Sequence, residues 1–223
     1  VILCRRPRRF IEGLAIAARV LQPAVVVVFI NGEAKAARAS LEAALASAPP
    51  ELDGCLIIAG GGGYVLGEES ALLNAIEGRK PVPRLRPPYP VESGLFGMPT
   101  VINNVETITD LSLIFREPAA FRTSGTAEAP GTKLFSVSGR VREPGLYELP
   151  LGTTLAELVR AGGGATSGHA FAALVGGPSG GFLPAAEFDR GDLAASYAFV
   201  GGGARDAEEL GDLVHGVGET FHQ

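Results

Sequence analysis

Residues 59–80 read AGGGGYVLGEESALLNAIEGRK, and this stretch predicts a strand, a glycine-rich loop and a helix in immediate succession. A short apolar run at 55–58 leads into four consecutive glycines, Gly60–Gly63, and helical spacing begins at Glu68, after Gly67. Glycines at such a junction let the main chain adopt positive φ and let a flat or phosphorylated ligand approach the backbone amides closely. The order therefore predicts a nucleotide site.

The two standard nucleotide motifs do not fit this loop. The spacing from Gly62 to Gly67 matches a phosphate loop, but Glu68 and Glu69 stand where a Lys and a Ser or Thr are expected. The dinucleotide fingerprint fails because apolar residues occupy the places of its third glycine. What remains suits a ligand that offers hydrogen-bond donors, such as ribose hydroxyls, a carboxamide or the N–H edge of a flavin. The alternative is that the glutamates only complement the helix dipole and the glycines form an ordinary tight turn.

Composition limits the class of protein. With 223 residues, 46% hydrophobic content and 19% charged content, the chain has enough apolar material for one or two domains. A net charge of −5 argues against nucleic acid as a partner. Cys4 and Cys55 are typical of reduced thiols in a cytoplasmic protein. No apolar run approaches the roughly 18 residues of a membrane span, so direct membrane insertion is not expected.

The first half of the chain alternates helices and strands. Apolar spacing predicts helices at 7–21 and 33–48, and β-branched or apolar runs predict strands at 24–30 and 55–58. The unbroken run at 24–30 is typical of a strand that is covered on both faces, as in parallel sheets. An α-β-α-β order predicts half of a Rossmann-like parallel sheet.

The second half follows a stretch at 117–131 that is rich in Pro, Ala, Gly and Thr and has no periodicity, which predicts a domain boundary. Beyond it we expect a hairpin, a capped helix and a third strand, at residues 132–139, 146–149, 155–161 and 171–175. This order is a β-grasp pattern. Further elements are expected as a strand at 197–200 and a short helix at 206–214. The three histidines, His169, His215 and His222, are interpreted as surface residues.

Three linked motifs identify a resemblance to a known family. They are Gly63–Glu69 (GYVLGEE), Pro83–Pro90 (PRLRPPYP) and Pro99–Thr107 (PTVINNVET). Together they make residues 59–106 resemble the flavin-binding core of the NADH-oxidising subunit of respiratory complex I. The same family includes the flavoprotein subunits of NAD-linked formate dehydrogenases and hydrogenases.

The resemblance implies a fold and a domain order. The fold is α/β, with a partial Rossmann-like parallel sheet that forms a flavin- and NADH-binding domain at 1–116. A linker at 117–131 follows, and then a ubiquitin-like β-grasp domain of the soluble-ligand-binding type at 132–204. The remainder, 205–223, is expected as a short helix or tail.

The resemblance also implies site residues. FMN binding is expected at Gly63, Gly67, Glu68, Glu69, Asn103, Asn104 and Thr107, and NADH binding at Arg86 and Tyr89. The last two stand where the family usually has a lysine and a phenylalanine. No side chain is expected to act as an acid or base. Two alternatives stay open from the residues alone: the asparagines only cap a helix, and residues 78–90, the proline-rich segment, form a solvated linker.

The implied function is FMN-dependent hydride acceptance from NADH, with electron transfer towards iron–sulfur centres. The family's N-terminal glycine loop and acidic stretch are not found here, and no cysteine follows Cys55. Because a [4Fe–4S] cluster takes four thiolates, we expect this chain not to hold one unaided, and to be truncated or diverged. Partner subunits of a complex I-like assembly and a cytoplasmic place, peripheral to the inner membrane, are implied. The alternative is a non-catalytic assembly or ligand-binding relative that kept the fold and lost the FMN and cluster sites.

Overall fold

The computed structural model divides the chain into two compact units, Val1–Arg116 and Glu117–Gln223. It describes residues 1–61, 63–170, 172–177, 180–189 and, as backbone only, 198–201. The helix expected at 206–214, together with His215 and His222, lies outside the described residues. In the part of the chain that is described, no helix has the length and apolar character needed to cross a membrane.

The first unit places helices around a two-stranded sheet. Its elements are α1 Ile2–Arg5, α2 Pro7–Leu21, β1 Val27–Asn31, α3 Lys35–Leu45, β2 Leu56–Gly60, α4 Glu69–Ile76, α5 Pro90–Ser93 and α6 Val105–Arg116. β1 pairs with β2 in parallel, from Val27 opposite Leu56 to Asn31 opposite Gly60. The α-β-α-β order and the parallel pairing expected from the sequence are confirmed.

The core of the first unit lies where α2, α3 and α6 meet the sheet. Pro7 is accepted at the start of α2 because the first helical N–H has no partner inside the helix. The apolar stripe of α2 buries Phe10 and Ile11, and Leu41 of α3 is fully buried. In β1 only alternate residues are buried and the residues between them are half-buried. The strand is therefore less covered than expected, because among the described residues its sheet contains two strands.

The second unit has its own core. Its elements are α7 Pro118–Thr123, β3 Thr132–Val137, β4 Gly145–Pro150, α8 Leu155–Ala161, β5 Ala172–Val175, β6 Gly181–Pro184 and β7 Ala198–Gly201. β3 and β4 form an antiparallel hairpin, and β5 lies between β6 and β7 with antiparallel pairing on both sides. Thr154 and Glu157 form the capping box expected at the start of α8. Phe135 and Leu155 are almost fully buried in this core.

Two details correct or confirm expectations about single segments. The stretch at 117–131 is not wholly irregular, because α7 occupies Pro118–Thr123 with its proline in the first turn. His169 is exposed, as expected. Cys4 is exposed and Cys55 half-buried, and both are free thiols. Burial raises the pKa of the Cys55 thiol, which disfavours its thiolate.

Candidate functional site

The glycine-rich junction has the order that the sequence predicts. β2 ends at Gly60, a single 3-10 turn follows at Tyr64–Gly67, and α4 begins at Glu69. Gly60 is required by packing, since a Cβ there would lie 2.2 Å from the ring of Phe29. Gly60 is therefore explained by packing against β1.

Gly61 and Gly67 differ from Gly60 because the described protein does not itself require them. A Cβ built on either would meet nothing within 4 Å, and neither has the positive φ that favours glycine. Both are exposed. At Gly63 a Cβ would also meet nothing within 4 Å, and its φ of 158° is close to extended backbone. The junction thus presents bare main chain to open space, as a close-lying planar ligand would need.

Glu68 joins the start of α4 to the proline-rich segment. It is the N-cap of the helix, and its Oε2 accepts the Ala71 N–H at 2.7 Å and the Ser70 hydroxyl at 2.6 Å. Its Oε1 accepts a hydrogen bond from Arg86 Nη2 at 2.6 Å. One carboxylate therefore caps the helix and holds the arginine.

Arg86 bridges both glutamates. Its Nη2 lies 2.8 Å from Glu69 Oε1 in addition to its contact with Glu68. The three side chains, hereafter the carboxylate clamp, are 36%, 32% and 38% exposed for Arg86, Glu68 and Glu69. The two carboxylates therefore lie at the surface, already paired with a cation. A ligand that reaches this site would contact a polar surface whose negative charge is partly neutralised.

The charge state of Glu68 follows from its contacts. Burial acts to raise the pKa of its carboxyl, but hydrogen bonds from Ser70, from the backbone N–H of Ala71 and from Arg86 outweigh burial and lower it. Glu68 is therefore ionised at neutral pH. It can accept hydrogen bonds and cannot donate one.

A second ionic cluster, which the sequence analysis did not single out, lies beside the carboxylate clamp. Arg84 Nη2 lies 2.9 Å from Glu77 Oε1, and the Glu77 side chain is only 3% exposed. These two atoms are at ion-pair distance, and Glu77 Oε1 also accepts the Phe96 N–H at 2.8 Å. Arg79 pairs with the other oxygen of Glu77 at 3.1 Å from the exposed side. The signal was present in the second motif, where Arg84 follows Pro83.

The polar residues predicted at the start of α6 differ in their contacts. Asn104 Oδ1 accepts the Glu106 N–H at 2.8 Å, so this side chain caps α6. Asn103 and Thr107 are exposed. Among the described residues, no hydrogen bond or ion pair connects these three residues to the carboxylate clamp.

Tyr89 lies at the far end of the proline-rich segment. It is 52% exposed. Its N–H donates to Glu92 Oε2 at 3.0 Å, which fixes its main chain at the start of α5. Leu85, between Arg84 and Arg86, is 92% exposed. The segment is thus held by its polar groups and presents Leu85 and the ring of Tyr89 outward.

Within the described residues, no cluster of three or more His, Cys, Asp or Glu side chains is arranged to hold a metal ion. The described site offers bare backbone, paired carboxylates and arginines. These groups suit an uncharged or donor-rich ring system next to a charged, phosphorylated part.

Two family models match the chain. Residues 1–112 match the Nuo51 FMN-binding domain, and residues 134–183 match the SLBB domain.

Curated relatives agree with these matches. An NADH-quinone oxidoreductase subunit of Rhizobium meliloti is 40% identical over 222 residues, which covers 90% of this chain and 52% of that protein. The NAD-reducing hydrogenase HoxS subunit alpha of Cupriavidus necator is 37% identical over 196 residues, which covers 81% of this chain and 32% of that protein. The chain thus spans about half the length of the first relative, and about a third of the second.

A solved structure also agrees. An NAD⁺-reducing [NiFe]-hydrogenase in the air-oxidized state matches with a TM-score of 0.80 and 38% identity, which covers 92% of this chain and 38% of that chain.

Proposed function

The chain belongs to the family of the Nuo51 FMN-binding domain, with an SLBB domain after it, and from that premise we propose that it binds FMN and takes part in NADH oxidation. The proposal places the flavin on the bare backbone between β2 and α4. Bound FMN would supply the two-electron acceptor for hydride, and the protein would supply position and electrostatics.

The observation that carries the proposal is the open space in front of Gly61 and Gly67. Glycine destabilises a folded chain through its unfolded-state entropy, so a position that needs neither positive φ nor close packing gains nothing from it within the fold. A planar ligand that lies against the main chain would explain why glycine occupies such a position. Gly63 lies between them and is proposed to contact the same ring.

Within the carboxylate clamp, Glu68 and Glu69 are proposed to lie at the flavin and the nicotinamide and ribose side of NADH, and Arg86 is proposed to lie at the NADH. The carboxylate oxygens of Glu68 and Glu69 accept hydrogen bonds from ribose hydroxyls or a carboxamide, while Arg86 offers N–H groups to phosphate oxygens. The exposed ring of Tyr89 gives the adenine a surface to stack on. In this arrangement the side chains bind and orient the dinucleotide, and none of them transfers a proton.

Asn103 and Thr107 are proposed as flavin contacts because they are exposed and present polar groups at the start of α6. Asn104 is proposed to reach the flavin through its amide nitrogen, since its Oδ1 caps the helix. Each residue thus keeps one polar group for a ligand.

The surroundings of the reaction are part of the proposal. The relatives are named as subunits of larger enzymes, and we propose that this chain assembles with other subunits that carry electrons onward to iron–sulfur centres. No cysteine follows Cys55 in the 223 residues, so those centres are proposed to be held outside them. We propose a cytoplasmic location, peripheral to the inner membrane through the partner subunits.

The test is Gly67→Ala in the full chain, with FMN binding followed by quenching of flavin fluorescence. The wild-type chain is expected to bind with a Kd below about 10 µM. The added methyl group should weaken FMN by about tenfold or more, equivalent to about 1.4 kcal/mol. Thermal stability should stay unchanged, because the methyl group meets nothing within 4 Å in the protein.

Gly181→Ala is the matched control, since a Cβ there also meets nothing within 4 Å and the residue lies in the second unit. It should bind FMN as the wild type does. A wild-type chain that leaves flavin fluorescence unquenched would contradict the proposal and support the non-catalytic alternative. Equal FMN affinity of Gly67→Ala and wild type would show that the flavin does not lie against this junction.

A further inference from the structure

We infer that Arg84 is a positioning residue: it locks the proline-rich segment onto α4, so that Arg86 meets Glu68 and Glu69 and stands ready for a dinucleotide. The dinucleotide part of this inference rests on the proposed function. The locking part rests on contacts within the first unit alone.

The Arg84 side chain contacts α4, the residue that caps its C-terminus and the main chain that follows α5. Its Nε donates to Asn74 Oδ1 at 2.9 Å, its Nη1 donates to the Gly94 carbonyl at 3.0 Å, and its Nη2 lies 2.9 Å from Glu77 Oε1. The side chain is only 25% exposed. A planar guanidinium can satisfy these three directions at once, whereas a lysine ammonium on its flexible stem cannot.

The main chain around Arg84 is held by the same helix face. Its N–H donates to Ser70 Oγ at 2.8 Å, and the Val82 carbonyl accepts from Asn74 Nδ2 at 2.7 Å. Ser70 and Asn74 are four residues apart, so they lie one above the other on α4. Both ends of the short stretch 82–84 are therefore pinned to one helix.

Ser70 and Asn74 are 2% and 7% exposed. Burying a polar group costs free energy unless it is hydrogen-bonded, so such residues indicate a specific requirement. Here the requirement is the segment, because both side chains donate to it or accept from it.

The lock connects directly to the carboxylate clamp. Ser70 accepts the N–H of Arg84 and donates its own hydroxyl to Glu68 Oε2 at 2.6 Å. Arg86 follows Arg84 by only two residues, and its Nη2 donates to Glu68 Oε1 at 2.6 Å. Fixing Arg84 thus fixes the point from which the Arg86 side chain reaches Glu68 and Glu69.

The test compares Arg84→Gln with the double variant Glu77→Gln/Arg84→Gln in the FMN-loaded full chain. The single variant leaves a buried carboxylate without its main cation, which threatens folding; the double variant removes both charges and keeps the fold. In either variant the NADH concentration for half-maximal bleaching of the flavin absorbance should rise about tenfold or more, because Arg86 is misplaced. The Kd for FMN should change by less than about threefold.

Arg79→Gln is the matched control. Arg79 pairs with the same Glu77 but its side chain is 70% exposed, and within the described part of the chain Glu77 is its one ion-pair partner. The variant should leave both the NADH and the FMN requirement unchanged. If the NADH requirement depended only on the charge around Glu77, removing Arg79 would change it as well.

Amide hydrogen exchange of residues 82–86 in the flavin-free chain tests the lock without any nucleotide. Loss of protection there in the double variant, with protection of α2 retained, supports the positioning role. Wild-type protection in that variant overturns it, and so does an equal loss of FMN and NADH binding. A wild-type chain that binds neither cofactor would overturn the proposed function, while the exchange comparison would still decide the lock.

Discussion

Single residues in the first unit serve two structures at once. Glu68 caps α4 with one oxygen and holds Arg86 with the other. Glu77 is nearly buried, and it faces Arg84 on one side and Arg79 on the other. The stability of the site therefore depends on the ionisation of these two carboxylates.

We expect the first unit to lose stability in acid. Burial acts to raise the pKa of Glu77, but Arg84, the backbone N–H of Phe96 and Arg79 outweigh it and lower the pKa; the pKa of Glu68 is lowered in the same way. The unfolded chain then binds these protons more tightly than the folded one. The stabilisation is complete above the ordinary glutamate pKa of about 4.3 and is lost as pH falls through the lower folded values.

The measurement is thermal unfolding between neutral pH and the acid limit, for wild type and Glu68→Gln. The wild type should show a falling Tm below the ordinary glutamate pKa, and the variant should show a shallower fall from a lower starting point, because one lowered carboxyl is gone. A variant whose Tm falls as steeply as that of the wild type would show that Glu68 contributes nothing to the acid transition.

The sequence predicted the residues of the carboxylate clamp but not their contacts. Glu68, Glu69 and Arg86 could be named from motifs because each motif is local. The lock by Arg84 could not, since it depends on the proline-rich segment folding back over α4 so that Ser70 and Asn74 reach residues 8 to 14 positions away. Spacing along the chain carries no such information when prolines interrupt the periodicity.

At the scale of elements, α2 and α6 cross unusually closely. A Cβ at Gly13 of α2 would lie 1.7 Å from the carbonyl oxygen of Ile108 in α6. Near the same crossing, the buried hydroxyl of Ser112 donates to Glu12 Oε2 at 2.7 Å. The missing side chain of Gly13 is therefore what lets these two helices approach.

We expect Gly13→Ala to destabilise the protein by about 1–3 kcal/mol, because the obstacle is main chain and the helices must move apart. The gain in helix propensity, about 0.5–1 kcal/mol, is too small to offset this. Urea unfolding followed by circular dichroism measures the difference. Gly67→Ala is the control and should change stability by less than about 0.5 kcal/mol; equal stability of the two alanine variants would contradict the close approach.

Elements were predicted well and their ends less well, for identifiable reasons. The sequence predicted a strand from residue 24, but β1 starts at Val27, because the pairing begins where Leu56 stands opposite it. Strand ends depend on the partner's register, which the sequence of one strand does not contain. The helix α7 at Pro118–Thr123 was missed because six residues are too few to show a period.

At the scale of the whole chain, the described residues form two separate hydrophobic cores. One is built around residues such as Leu41 in the first unit, and the other around Phe135 and Leu155 in the second. Neither core includes a buried residue of the other unit. A destabilising substitution in one core should therefore lower the stability of the unit that contains that core.

We expect Leu41→Ala to cost about 2–5 kcal/mol and to act on the first unit alone, because Leu41 is fully buried there. Hydrogen exchange should accelerate in β1 and α2 and stay at the wild-type rate in β3 and β4. Leu155→Ala, its counterpart in the second unit, should give the reverse pattern. Faster hydrogen exchange in both units after either substitution would show that the two cores unfold together.

Such a division has a consequence for inheritance. A genetic crossover between the codons for Arg116 and Glu117 would part the units and leave the buried residues of each core together. Related genes can then exchange either half without repacking an interior. The half that carries the glycines and paired acids can then diverge independently of the half that carries the hairpin.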